Sequence, residues 1–154
     1  HGLKLRLDHF FVAACFITLI STSCNKDDNN TTPAKTKTQL ITQGSWSFDK
    51  IFQGTTDVTL GTPACYKDNV VTFTTTTNGT VNEGANICAS PAPATFTWSW
   101  NSGETILQLN TSFFPGGSTN FTLVSLTETA LVVSQVANFG APGDPQAYTF
   151  HYKH

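Results

Sequence analysis

Two hydrophobic patterns divide the chain. Phe10 to Ile20 form an apolar run of eleven residues broken only by Thr18. From Ser45 onward, apolar and polar residues instead alternate in short runs, the period-two signature of strands with one buried face. Between the two, residues 25–36 carry Asn, Asp, Thr, Lys and Pro33 and nothing apolar larger than Ala34. Such a stretch cannot bury a core and is expected to be a disordered linker. Fully extended it would reach on the order of 40 Å.

Trp46, Phe48 and Phe52 alternate along the first strand, with Lys50 interrupting their apolar face. Val70 to Thr76 predict a second strand, Thr77-Asn78-Gly79 a hairpin turn of the Asn-Gly kind, and Thr80 to Glu83 a third strand. Pro91 and Pro93 mark a loop, after which Phe96, Trp98 and Trp100 alternate with Thr97 and Ser99. Asn101-Ser102-Gly103 turn the chain into Thr105 to Asn110, and Pro115-Gly116-Gly117 precede Asn120 to Leu126. Thr127-Glu128-Thr129 lead into Leu131 to Val136, residues 138–145 form a loop, and Tyr148, Phe150 and Tyr152 alternate at the end. Thr38 to Thr42 predict a short helical turn with Leu40 and Ile41 as its apolar contacts.

Eight strands with hairpin-length connections and no helix of useful length place the chain in the all-β class. Short connections favour an antiparallel up-and-down barrel over a Greek-key sandwich, which needs long crossovers. An eight-stranded barrel has an interior that side chains can fill or that can hold one small ligand, and closure removes the exposed edges. Alternation points Trp46, Phe48, Phe73, Phe96, Trp98, Trp100, Phe121, Tyr148, Phe150 and Tyr152 inward.

The apolar run at the start is too short to span a membrane, which takes roughly 20 residues. Lys4 and Arg6 precede it, and Ile20-Ser21-Thr22-Ser23 lead to Cys24. That order reads as a bacterial lipoprotein signal, in which residues 1–23 are removed and Cys24 is lipidated. Ser21 stands where such signals usually carry an aliphatic residue. The chain has no Met, so the translation start is expected to lie upstream. Lys26-Asp27-Asp28 look like the lysine-plus-acids export tag of Bacteroidetes-type surface lipoproteins, against the alternative of a solvated linker cluster on a protein kept in the periplasm. The expected organisation is a signal over 1–23, a lipidated linker over 24–37 and a barrel over 38–154.

Beyond the signal, 131 residues (154 less 23) suffice for one domain. They hold six Lys and Arg against nine Asp and Glu, about −3, with no basic run, which argues against a nucleic-acid partner. Thr is abundant, 26 in all, and β-branched side chains suit a pleated surface. Cys65 and Cys88 remain as an even pair in an exported protein, which argues for one disulfide. A two-cysteine metal site would need histidines near them, and the mature part has only His151 and His154.

Gly44-Ser45-Trp46, entering the first strand after a helical turn, resembles the G-x-W motif of lipocalins. Cys65-Tyr66-Lys67-Asp68-Asn69 before a strand, Asn78-Gly79-Thr80, Cys88 before the Trp98 strand, Ile106-Leu107, and Leu126-Thr127 to Leu131 are similar to lipocalin-like domains of bacterial surface lipoproteins. The resemblance covers residues 38–153. It implies a β-barrel with a cup for a small, often hydrophobic ligand, and makes Gly44 and Trp46 structural. Lipocalins of eukaryotes also carry a late Arg packed over the Trp. No Arg follows Arg6 here, so the base of the barrel is expected to be held another way.

Phe73, Trp98, Tyr148 and Tyr152 are the candidate ligand contacts: aromatic walls, with Tyr and Trp offering polar tips that want a partner. The alternative for each is plain barrel core. No G-x-S-x-G, metal-ligand spacing or phosphate-cradling glycine loop occurs, so neither an enzyme nor a cofactor is expected. His151 and His154 are spaced for a helix, on a segment that reads as a strand. The expected protein is a monomer that touches the membrane only through its lipid. It binds a small apolar or amphipathic molecule inside the barrel. Otherwise its interior is filled and its loops or outer face bind protein or glycan.

Overall fold

The computed structural model describes residues 33–154. The predicted signal, Cys24 and Lys26-Asp27-Asp28 therefore lie outside the described residues. Residues 33–36 are exposed, and Thr36 opens helix α1 (Lys37–Ile41) with a reciprocal cap. Its hydroxyl accepts from the Gln39 amide, and the Gln39 side chain accepts from the Thr36 amide at 2.8 Å. Ile41 is fully buried at the helix end.

Strand β1 (Ser45–Gln53) is followed by the two-residue β2 (Thr56–Asp57), a 3-10 turn (Thr59–Gly61) and helix α2 (Ala64–Lys67). Strands β3 (Val70–Phe73), β4 (Asn78–Asn82), β5 (Thr95–Asn101), β6 (Ile106–Leu109), β7 (Asn120–Leu126), β8 (Ala130–Ala137) and β9 (Gln146–Lys153) follow. All pairings are antiparallel: β1 pairs with β3, each strand from β3 to β8 pairs with the next, and β1 also pairs with β9, closing an eight-stranded up-and-down barrel. The two residues of β2 fold back on the end of β1 and stand outside the ring.

The expected strand order holds, with three corrections. Asn78-Gly79 are strand residues: the turn is residues 74–77, with Thr77 carrying the positive φ of 62°. Gly79 instead faces inward beneath Phe96, whose ring Cζ lies 2.1 Å from where a side-chain Cβ would sit. Second, the first strand carries a β-bulge between Phe48 and Lys50. The extra residue reverses the alternation, so that Ile51 is buried and Lys50 is exposed, while Phe52 turns outward against His151. Third, the connections are not uniformly short. Residues 74–77, 102–105 and 127–129 make tight turns at one end, where α1 packs. Residues 54–69, 83–94, 110–119 and 138–145 make long loops at the other.

The end under α1 is closed by the predicted entry motif. Trp46 is fully buried and donates its indole N–H to the Ile41 carbonyl at 2.8 Å, satisfying a helix-end acceptor. The His154 ring covers Trp46 with centroids 3.9 Å apart, and its Nδ1 lies 2.8 Å from the Ser45 carbonyl. Gly44 leaves the space for that ring: a Cβ there would stand 3.1 Å from it. Histidine thus occupies the position over the Trp that no arginine fills. Trp100 adds a bond from its indole to the Thr38 hydroxyl at 3.2 Å.

Candidate functional site

Of the inward set expected from alternation, Phe48 and Trp100 are only half-buried and the other eight residues are buried. Around Trp46, Phe73, Leu107, Phe121, Val133 and Tyr152 the interior leaves a void of about 20 Å³. That is room for a single water, and its walls offer no polar contact. Phe113 and Phe114, from the β6–β7 loop, complete the filling. Phe113 packs on Phe96 at 4.9 Å, and Phe114 stacks on Phe150 at 4.4 Å with rings nearly parallel. The barrel is closed at the loop end by aromatic side chains of its own loops.

A larger space lies outside that plug. A cleft of about 350 Å³ opens at the loop end, between the 3-10 turn side of β1 and the β8–β9 loop. Ile51, Val58, Pro63 and Phe139 supply apolar walls, with Gln53, Thr62 and the Tyr148 ring among the remaining contacts. Its volume falls in the range of small-molecule sites, which runs from about 300 to 1,000 Å³.

The β8–β9 loop is pinned by one carboxylate. Asp144 accepts the Tyr148 hydroxyl at 2.5 Å on one oxygen, and the Phe139 and Ala141 amides at 2.7 and 3.0 Å on the other. These bonds hold the Asp144 carboxyl below the ordinary carboxylate range, the tyrosine bond first. Burial, reinforced by the bond to Asp144, pushes the Tyr148 hydroxyl up to about 12. Phe139 is carried on this loop and touches Tyr148, Phe114 and Tyr66 at 5.0, 5.5 and 5.3 Å.

The four candidate contacts separate. Phe73 and Tyr152 line the filled interior, and burial raises the Tyr152 hydroxyl well above its usual range. Trp98 packs edge-on against Phe73 at 5.6 Å, and its indole donates to the Thr74 and Asn78 carbonyls at 3.2 and 3.1 Å, tying down the 74–77 turn. Tyr148 alone of the four faces the cleft. Cys65 and Cys88 are joined with Cα atoms 5.1 Å apart, fastening α2 to the β4–β5 loop. Asp68 completes that fastening by accepting the Ala85 and Asn86 amides at 3.0 and 2.9 Å.

Pattern reasoning passed over Phe113, Phe114 and Phe139, because loop residues have no period to follow. Their signal was chemical: large apolar side chains beside Pro115-Gly116-Gly117 and Gly140, where solvent-exposed loops rarely place them. Gln135 was also passed over. It shares the inward face of β8 with Leu131, Val133 and Ala137, a polar residue at a core position.

The sequence model of the lipocalin-like domain matches residues 42–133, from the end of α1 into β8. No curated protein matches the chain. The barrel closed by β1 and β9, the G-x-W entry and this match agree, and the chain belongs to the lipocalin-like domain family.

Proposed function

We propose that this chain is a lipid-anchored, non-enzymatic binding protein of the outer membrane, displayed at the cell surface, whose small apolar or amphipathic ligand binds at the loop end of the barrel. The family supports ligand binding in general. The observation that carries the placement is the apolar cleft of about 350 Å³ against about 20 Å³ inside; a hollow of the same volume beside Trp98 is walled mainly by polar residues, Thr77, Thr97, Ser99, Gln108 and Asn110. The anchor rests on Lys4, Arg6, the run from Phe10 to Ile20, and Cys24, and the surface location on Lys26-Asp27-Asp28. Filling the cleft tests the reading. Ile51→Trp should weaken binding of an anilinonaphthalene sulfonate probe by about tenfold or more, a difference of about 1.4 kcal/mol. Unchanged probe affinity in a folded variant would move the site elsewhere.

A second reading has its own support. With the interior filled, the loops at the open end expose Leu60 fully and Ile87 at 72%. Those side chains suit a module that grips a protein or glycan by its rim. Under that reading Leu60→Ser and Ile87→Ser, and not Ile51→Trp, would abolish binding.

A further inference from the structure

Gln135 is 6% exposed, and neither its amide oxygen nor its amide nitrogen has a hydrogen-bond partner among the described residues. A buried amide left unpaired is costly, and native structures tolerate few of them. Gln135 sits opposite Tyr148 in the β8–β9 register, one strand away from a residue that lines the cleft. The β6–β7 loop lies against it: a Cβ at Gly117 would stand 2.7 Å from its Oε1 and 3.0 Å from the Phe114 carbonyl.

Phe114 is the second observation. Its ring lies 4.4 Å from that of Phe150 with 5° between the planes, whereas the other ring pairs recorded among the described residues are tilted or edge-on. Parallel stacking on a buried phenyl ring is how a flat guest would lie. Phe114 arrives on a loop outside any strand, followed by Pro115-Gly116-Gly117 with Gly116 in the left-handed region at φ 60°. Phe139 touches Phe114 on one side and lines the cleft on the other.

We propose that Phe114 stands in for a flat, neutral aromatic ligand that carries an N–H donor and an acceptor side by side on one edge. The proposal rests on the open-end reading above. The ligand enters through the cleft, displaces Phe114 from its stack on Phe150, and pairs its edge with the Gln135 amide. A carboxamide presents one donor pair and one acceptor together, so a lactam-type edge satisfies both with two bonds. The ligand is neutral because no charged side chain lines the cleft, and the buried polar residues among those described, Thr62, Asn69 and Gln135, carry no charge. Phe139 would move with Phe114, as the ring between the two spaces.

The test titrates the full chain with carbostyril, a bicyclic lactam, and with naphthalene, its near-isostere without the polar edge. Wild type should prefer carbostyril by about tenfold or more. Gln135→Leu should erase that preference by weakening carbostyril alone, and Phe114→Ala should tighten both probes. Gln135→Leu should also melt no lower than wild type, since it removes an unpaired amide. A lower melting temperature would mean Gln135 is already satisfied, and would overturn the proposal. Binding of carbostyril that is lost in Ile51→Trp yet indifferent to Gln135→Leu and Phe114→Ala would overturn it while leaving the cleft standing. Failure of both probes on every variant would overturn both.

Discussion

Gly79 shows at single-residue scale how a local signal can mislead. Asn78-Gly79 is a hairpin dipeptide by its own chemistry, but the packing of Phe96 decides its place. That ring lies over Gly79 and is held in turn by Phe73 at 5.4 Å and Phe113 at 4.9 Å. Gly79→Ala therefore has nowhere to push the ring, and should cost about 1–3 kcal/mol in a denaturant titration. An unchanged midpoint would show that the ring moves freely. Tyr148 and Asp144 make a second prediction at this scale. The Tyr148 hydroxyl, raised to about 12 in the fold, keeps its proton after an unfolded tyrosine near 10 has lost it. Between those values the unfolded state binds fewer protons, so stability falls as pH rises. Asp144 works in the opposite sense: its lowered native pKa stabilises above the ordinary carboxylate value and is lost as pH falls through the native one. Urea melts across pH should show both slopes, each shallower in Tyr148→Phe. Slopes equal to those of the wild type would show that this pair does not couple stability to pH.

Among the elements, the strands were legible because one face of each is buried, and burial writes itself as alternation. Trp46, Phe96, Trp98, Phe121, Phe150 and Tyr152 all face inward as that rule demands. The rule failed where the backbone inserts a residue: the bulge near Asp49 swaps Phe52 for Ile51 on the inner face. It was silent on the open-end loops, whose aromatics are placed by contacts distant in sequence. Phe114 finds Phe150, and Tyr66 finds Phe114 and Phe139, with no local pattern to announce either. The pairing of Cys65 with Cys88 was legible by counting alone. Its removal in a Cys65→Ala, Cys88→Ala double variant should cost roughly 3 kcal/mol by the loop-entropy estimate. A midpoint shift near zero would mean that Asp68 and its bonds to residues 85 and 86 hold α2 unaided.

At the scale of the whole molecule, the fold follows from the order of strands, while the place of binding does not. Eight strands can close around a cup or around a solid core, and the difference lies in loop side chains that alternation does not reach. Here the loops close the barrel and leave a cleft outside it. The proposed function requires a small molecule at this open end of a protein tethered through Cys24. Native mass spectrometry of the protein purified gently from its own host, before and after denaturation, tests it most directly. The expected species is a chain shortened by residues 1–23 and carrying lipid on Cys24, with an additional small mass that departs on unfolding. A bare chain mass, unchanged after incubation with lipids and hydrophobic metabolites, would contradict it.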